Sequence, residues 1–126
     1  MAFAGFVVNN GAEHPFCHWR ASFEEEPDMK VIADLCVVPI GVGVSLGSYI
    51  AVCEKILSKA GLKTQLHGYG TNIEGEWDQV MLAVKECHRT LHEMGVPRIG
   101  TTMRIGTRID REQTIEDKIR SVQEKL

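Results

Sequence analysis

One short acidic block, Gly70-Thr71-Asn72-Ile73-Glu74-Gly75-Glu76-Trp77, concentrates the side chains of this chain that could do chemistry. Alternation along an extended segment sends Thr71 and Ile73 to one face and Asn72 and Glu74 to the other. Two further alternating stretches offer Asp34 in the first, and Thr102 and Arg104 in the second. If the three segments neighbour one another in a sheet, Asn72, Glu74, Asp34, Thr102 and Arg104 converge on one surface. Carboxylates, an amide and a hydroxyl can grip a small polar molecule there, with Tyr69 or Trp77 supplying a flat aromatic surface. The same groups also read as an ion-pair network of Asp34, Glu74 and Arg104 that stabilises the sheet or a subunit contact, with Trp77 in the core.

Other chemistry is thinner. His88 and His92 stand one helical turn apart, the spacing that lets two imidazoles share a metal, and Cys87 is adjacent. No third ligand is placed by spacing, and Cys87 belongs to the apolar stripe, so no metal site is expected. His67 reads as a hydrogen-bonded sheet residue. Gly41-Val42-Gly43, with Ser45 at the following helix start, could cradle an anion through backbone amides, a weak signal from two glycines. The motifs of serine hydrolases, zinc proteases, P-loops and dinucleotide-binding folds are missing, so a non-enzyme without a cofactor is expected.

The elements that must position these residues follow from periodicity. Lys30 to Val38 is β-branched and apolar, stops at Pro39 and reads as a central strand. Ser45 is a plausible N-cap for a helix with Leu46, Ile50, Cys53, Leu57 and Ala60 on one face and Gly61 after its end. Lys63 to His67 and Thr71 to Glu74 form a hairpin around Gly68, Tyr69 and Gly70, and Gly75 is expected to break the second strand. A second helix carries Val80, Val84, Cys87, Leu91 and Met94 as its apolar stripe up to Gly95. Ile99, Thr101, Met103 and Ile105 alternate with Arg98, Gly100, Thr102 and Arg104 in a fourth strand. Asp110 and Gln113 read as a capping box for a last helix carrying Ile115, Ile119, Val122 and Leu126.

This βαββαβ order with right-handed crossovers predicts a ferredoxin-like α+β fold: a four-stranded antiparallel sheet, order 4-1-3-2, with two helices on one face plus the C-terminal helix. The opposite face, where Ile32, Asp34, Cys36 and Val38 point, needs the last helix or a second subunit to cover it.

Composition bounds the function. The 126 residues are one domain's worth; residues 1–28 lack periodicity, end in an acidic run and read as a flexible arm before a domain spanning 29–126. With 14 Lys and Arg against 17 Asp and Glu, and no basic stripe, nucleic acid is not an expected partner. No apolar run is long enough to span a bilayer, so no membrane partner is expected. Cys17, Cys36, Cys53 and Cys87 are scattered and read as reduced, which points to the cytoplasm.

The segments VVPIGVGVSLGSYI, LHGYGTNIEGEWDQVM and RIGTRIDREQTIEDKI resemble the small thiamine-binding, YkoF-like proteins from about Met29 onward. The resemblance implies a ferredoxin-like protomer, assembly into dimers and tetramers and, in some members, binding of thiamine or its hydroxymethylpyrimidine part. Thiamine joins a donor- and acceptor-rich aminopyrimidine to a permanently cationic thiazolium, so Glu74 can meet the ring nitrogen or the charge while an aromatic ring stacks. The expected function is a carrier, buffer or sensor, against the alternative of a regulatory or assembly module with no such ligand. Because every regular element lies after Met29, removal of residues 1–28 should leave folding and assembly intact. Light scattering should give the full and shortened chains the same homo-oligomeric mass, with a tetramer expected, and a shortened chain that aggregates or melts far lower would place the arm in the core.

Overall fold

The computed structural model describes residues 28–126, in the order β1 (Lys30–Ile40), α1 (Gly47–Lys59), β2 (Lys63–His67), β3 (Gly70–Glu76), α2 (Trp77–Glu93), β4 (Arg98–Thr107) and α3 (Ile115–Gln123). The expected arm, apart from Asp28, and Cys17 lie outside the described residues. The strands form one antiparallel sheet in the order β2-β3-β1-β4, which is the expected ferredoxin-like arrangement.

β1 is the spine. It pairs with β3 from Lys30↔Glu76 to Leu35↔Thr71 and with β4 from Val31↔Thr107 to Ile40↔Arg98. Val31, Ala33, Leu35 and Val37 are buried beneath α1 and α2, whose Cys53, Leu57, Val80, Ala83, Cys87 and Leu91 complete the core with Ile73. Full burial of an aliphatic side chain of this size stabilises by roughly 1.5–3 kcal/mol. Pro39, expected to end β1, lies inside it. β1 has lost β3 as a neighbour beyond Leu35, so that side is an edge, where a proline's missing N–H breaks no ladder.

Both core helices end in the same way. Gly61 (φ 79°) and Gly95 (φ 97°) take the left-handed conformation, and the next residue's amide, Leu62 or Val96, reaches back to the carbonyl of Leu57 or Leu91. These are Schellman closures, and all four apolar residues are buried.

Three local expectations are corrected. Ser45 does not cap α1: Leu46 holds the N-cap position with no side-chain hydrogen bond. Gly75 does not break β3, which runs on to Glu76; a Cβ there would sit 2.4 Å from Leu62 Cδ2, so the glycine lets that side-chain tip pack against the strand. The cap of α3 is Thr114 with Asp117, not Asp110 with Gln113, both of which are held by Arg108.

A Cβ at Gly70 would meet the Leu35 carbonyl oxygen at 2.4 Å, backbone that cannot step aside, whereas one at Gly68 would meet nothing within 4 Å. Gly70→Ala is expected to destabilise by about 1–3 kcal/mol and Gly68→Ala to be nearly neutral, read from urea midpoints of the two variants.

Candidate functional site

Register fixes what shares the helix-free face. Asp34 sits between Asn72 on β3 and Arg104 on β4, and Gln65 of β2 extends that row. In the next row Glu74 and Gly106 flank Ile32, with Lys63 beyond Glu74. Thr102 lies across from Cys36, in the row on the other side of Asp34, and does not line the cleft that Asp34 and Glu74 share.

Asp34 is the hub of the first row. His67 Nε2 stands 2.6 Å from Asp34 Oδ1, and Arg104 reaches Oδ2 at 3.7 Å. The Tyr69 backbone amide donates to His67 Nδ1 at 3.3 Å, so Nδ1 is the unprotonated nitrogen and Nε2–H donates to Asp34. His67, read from sequence only as a sheet residue, therefore orients a carboxylate.

Glu74 does something the strand pattern could not show. Its Oε1 accepts a hydrogen bond of 2.8 Å from the backbone amide of Ile115, the first residue of α3. Ile115 is buried, and Lys63 pairs with Glu116 one residue on, so α3 is pinned to β2 and β3 by its first turn. The helix dipole favours a carboxylate at that end. Thr114 Oγ1 accepts from the Asp117 amide and the Asp117 carboxylate from the Thr114 amide, holding the Asp117 carboxyl below its ordinary value of 3.8. That cap is intact at every pH above the ordinary carboxylate range and loosens only as acid protonates Asp117. The contact expected between Glu74 and Arg104 is not formed; Arg104 approaches Asp34 instead.

Between this floor and the returning segment 108–118 lies a cleft of about 910 Å³. Asp34, Asn72, Glu74 and Arg104, four of the residues singled out from sequence, line it together with Ile32 and Gly106. Arg108, Arg111, Gln113 and Lys118 on the far wall were missed. Only the density of charge between Arg104 and Gln113 hinted at them, because their place depends on the chain doubling back after β4. Arg108 braces that turn, bonding Asp110 through two nitrogens and Gln113 through a third.

The family pattern described as "Thiamine-binding protein" matches residues 33–123. The chain belongs to the thiamine-binding protein family. A UPF0045 protein of Synechocystis sp. is 60% identical over 95 residues, covering 75% of this chain and 78% of that one. A crystal structure of a hypothetical protein from Methanocaldococcus jannaschii superposes with a TM-score of 0.71 at 33% identity, over 76% of this chain and 98% of its own. A Thermotoga maritima protein, described provisionally as a thiamine biosynthesis/salvage protein, gives 0.63 at 29% identity, over 74% and 98%.

Within this member of the family, the remaining sequence candidates lie away from the cleft. Thr71 faces the helices, where it is buried and donates to Glu54 Oε2 at 2.6 Å. Trp77 opens α2 and packs on the core, and Tyr69 stands exposed in the β2–β3 turn. The Gly41–Ser45 loop has positive φ at Gly41 and Gly43 and an exposed Ser45, but no polar side chain closes the helix start beside it. His88 bonds Thr101 Oγ1 at 2.6 Å and His92 the Val96 carbonyl at 2.8 Å. The buried Cys87 thiol is pushed up by its hydrogen bond with Cys53 and by burial. Among the described residues no three His, Cys, Asp or Glu side chains gather around a point that could hold a metal.

Glu74→Ala removes the acceptor for the Ile115 amide, while Glu74→Gln keeps one. Hydrogen exchange at Ile115 and Glu116 should speed up by about tenfold or more in the alanine variant and change little in the glutamine variant.

Proposed function

We propose that this protein is a non-catalytic, cytoplasmic binder of thiamine or its hydroxymethylpyrimidine part, serving as carrier, buffer or sensor. The observation that carries the reading is the shared cleft, in which Asp34, Asn72 and Glu74 stand on adjacent strands of its floor, with Ile32 beside them. An aminopyrimidine needs a donor and an acceptor side by side, and a thiazolium needs negative charge within a few ångströms; two carboxylates and an amide supply both. Glu74 Oε2 enters no hydrogen bond among the described residues and is free for a ligand, while Oε1 is held by Ile115. Family membership supports the same ligand class.

The non-catalytic part of the reading rests on how the polar groups are engaged. A general base needs a free lone pair aimed at substrate, and both ring nitrogens of His67 are taken up, by Asp34 and by the Tyr69 amide. Self-assembly into a dimer or tetramer completes the proposal. Val38 and Ile40 are about two-fifths exposed on the helix-free side, and β2 and β4 are open edges. These same apolar residues favour the second reading, an assembly module whose free face serves subunit contact alone.

Thermal denaturation with thiamine, its phosphates, the free pyrimidine and an amino-acid panel separates the two, because a ligand held only by the folded state raises the midpoint. Thiamine or the pyrimidine should raise it, and Glu74→Gln should weaken calorimetric binding by about tenfold to a hundredfold with little change in melting. No shift with any compound would leave the assembly module standing, and full affinity in Glu74→Gln would remove Glu74 from the site.

A further inference from the structure

The charges around the cleft are unevenly placed, with Lys30 at the start of β1 and Glu112 on the returning segment as the exceptions. Carboxylates occupy the floor, Asp34 on β1 and Glu74 on β3, each already holding a partner. Cations occupy β4 and the returning segment: Arg104, Arg111 and Lys118 all line the same space. Arg108 is occupied by Asp110 and Gln113, but among the described residues Arg111 and the Lys118 ammonium enter no ion pair or side-chain hydrogen bond. Arg104 is 90% exposed and touches Asp34 only at 3.7 Å. Glu112 and Asp28 are the other carboxylates on the rim, and neither is paired with these cations.

A cleft with two carboxylates on the central strands and three cations along β4 and the returning segment is complementary to a guest that is itself bipolar. A bare thiazolium alcohol would use the floor and bring no anionic group to Arg104, Arg111 and Lys118, which line the same space. A phosphate or diphosphate ester places its anionic oxygens where the three cations can donate, and guanidinium groups bind such oxygens through paired N–H donors. The geometry points to a phosphorylated ligand, a phosphate ester of the thiamine class, whose ring lies over Asp34 and Glu74 and whose phosphate is taken by Arg104, Arg111 and Lys118. This assignment rests on the functional reading above and adds the part of the ligand that reading leaves open.

Calorimetric titration of the full chain with thiamine, thiamine monophosphate, thiamine diphosphate and inorganic pyrophosphate tests it, alongside an Arg111→Ala/Lys118→Ala double variant whose melting curve checks the fold. The phosphate esters should bind about tenfold or more tightly than thiamine. The double variant should lose at least about ten times more affinity for the diphosphate than for thiamine. Raising ionic strength from about 0.01 M to about 0.15 M should narrow the gap as the screening length falls from about 30 to about 8 Å. Thiamine binding as tightly as its phosphates, or a double variant that weakens all of them equally, overturns the assignment. Pyrophosphate separates the two readings: if it binds and the double variant abolishes this while no thiamine compound binds, the cationic wall is supported and the thiamine reading fails. If neither pyrophosphate nor any ester binds, the phosphate site is gone.

Discussion

Strand β1 has to satisfy two environments with one alternation, and the rest of the molecule is arranged around that demand. Its odd-numbered residues from Val31 to Val37 are buried under the helices, while Ile32, Asp34 and Cys36 point to the other side. A slip of one residue would put Asp34 in the core and Leu35 in the cleft. Two ladders prevent it: β1 is held by β3 along one side and by β4 along the other, so its register is fixed twice. Asp34 can therefore sit between Asn72 and Arg104 without depending on any loop. The Asp34 carboxylate is about one-third exposed, and the hydrogen bond from His67 fixes its direction on the floor.

The fold was legible because its signals are local and mutually consistent. Period-two and period-3.6 patterns located all seven described elements, and Gly61 and Gly95 marked two helix ends by a conformation few other residues adopt. The errors have physical causes. Gly75 reads as a breaker in isolation, yet its missing side chain makes room for Leu62, a tertiary contact. Ser45 was a capping residue by type but lies one position early, and Asp110 and Gln113 were claimed by Arg108, a competitor no spacing rule weighs.

The candidate site was half legible for a similar reason. Asp34, Asn72, Glu74 and Arg104 lie on strands, where alternation alone says which way a side chain points. Thr71, by the same alternation, belonged with the core, and its hydrogen bond to Glu54 places it there. The wall of Arg108, Arg111, Gln113 and Lys118 follows from a chain reversal anchored by the buried Ile115, the Lys63–Glu116 pair and the contact of Glu74 with the Ile115 amide, across 41 residues of sequence. Long-range hydrogen bonds of this kind leave no period in a sequence.

The two Schellman closures bear on the shape of the site. β1-α1-β2 and β3-α2-β4 are two copies of one unit, each with a glycine-ended helix leading through a buried residue into its second strand, and the sheet order is unchanged when the copies are exchanged. A floor built this way has an approximate twofold axis and on its own would accept an elongated guest in either of two opposed orientations. Only the second copy continues, through Arg108 to α3, and folds a wall over the sheet; the first ends in the tight turn at Gly68 and Tyr69. A single wall on a nearly symmetric floor gives the cleft a head and a tail.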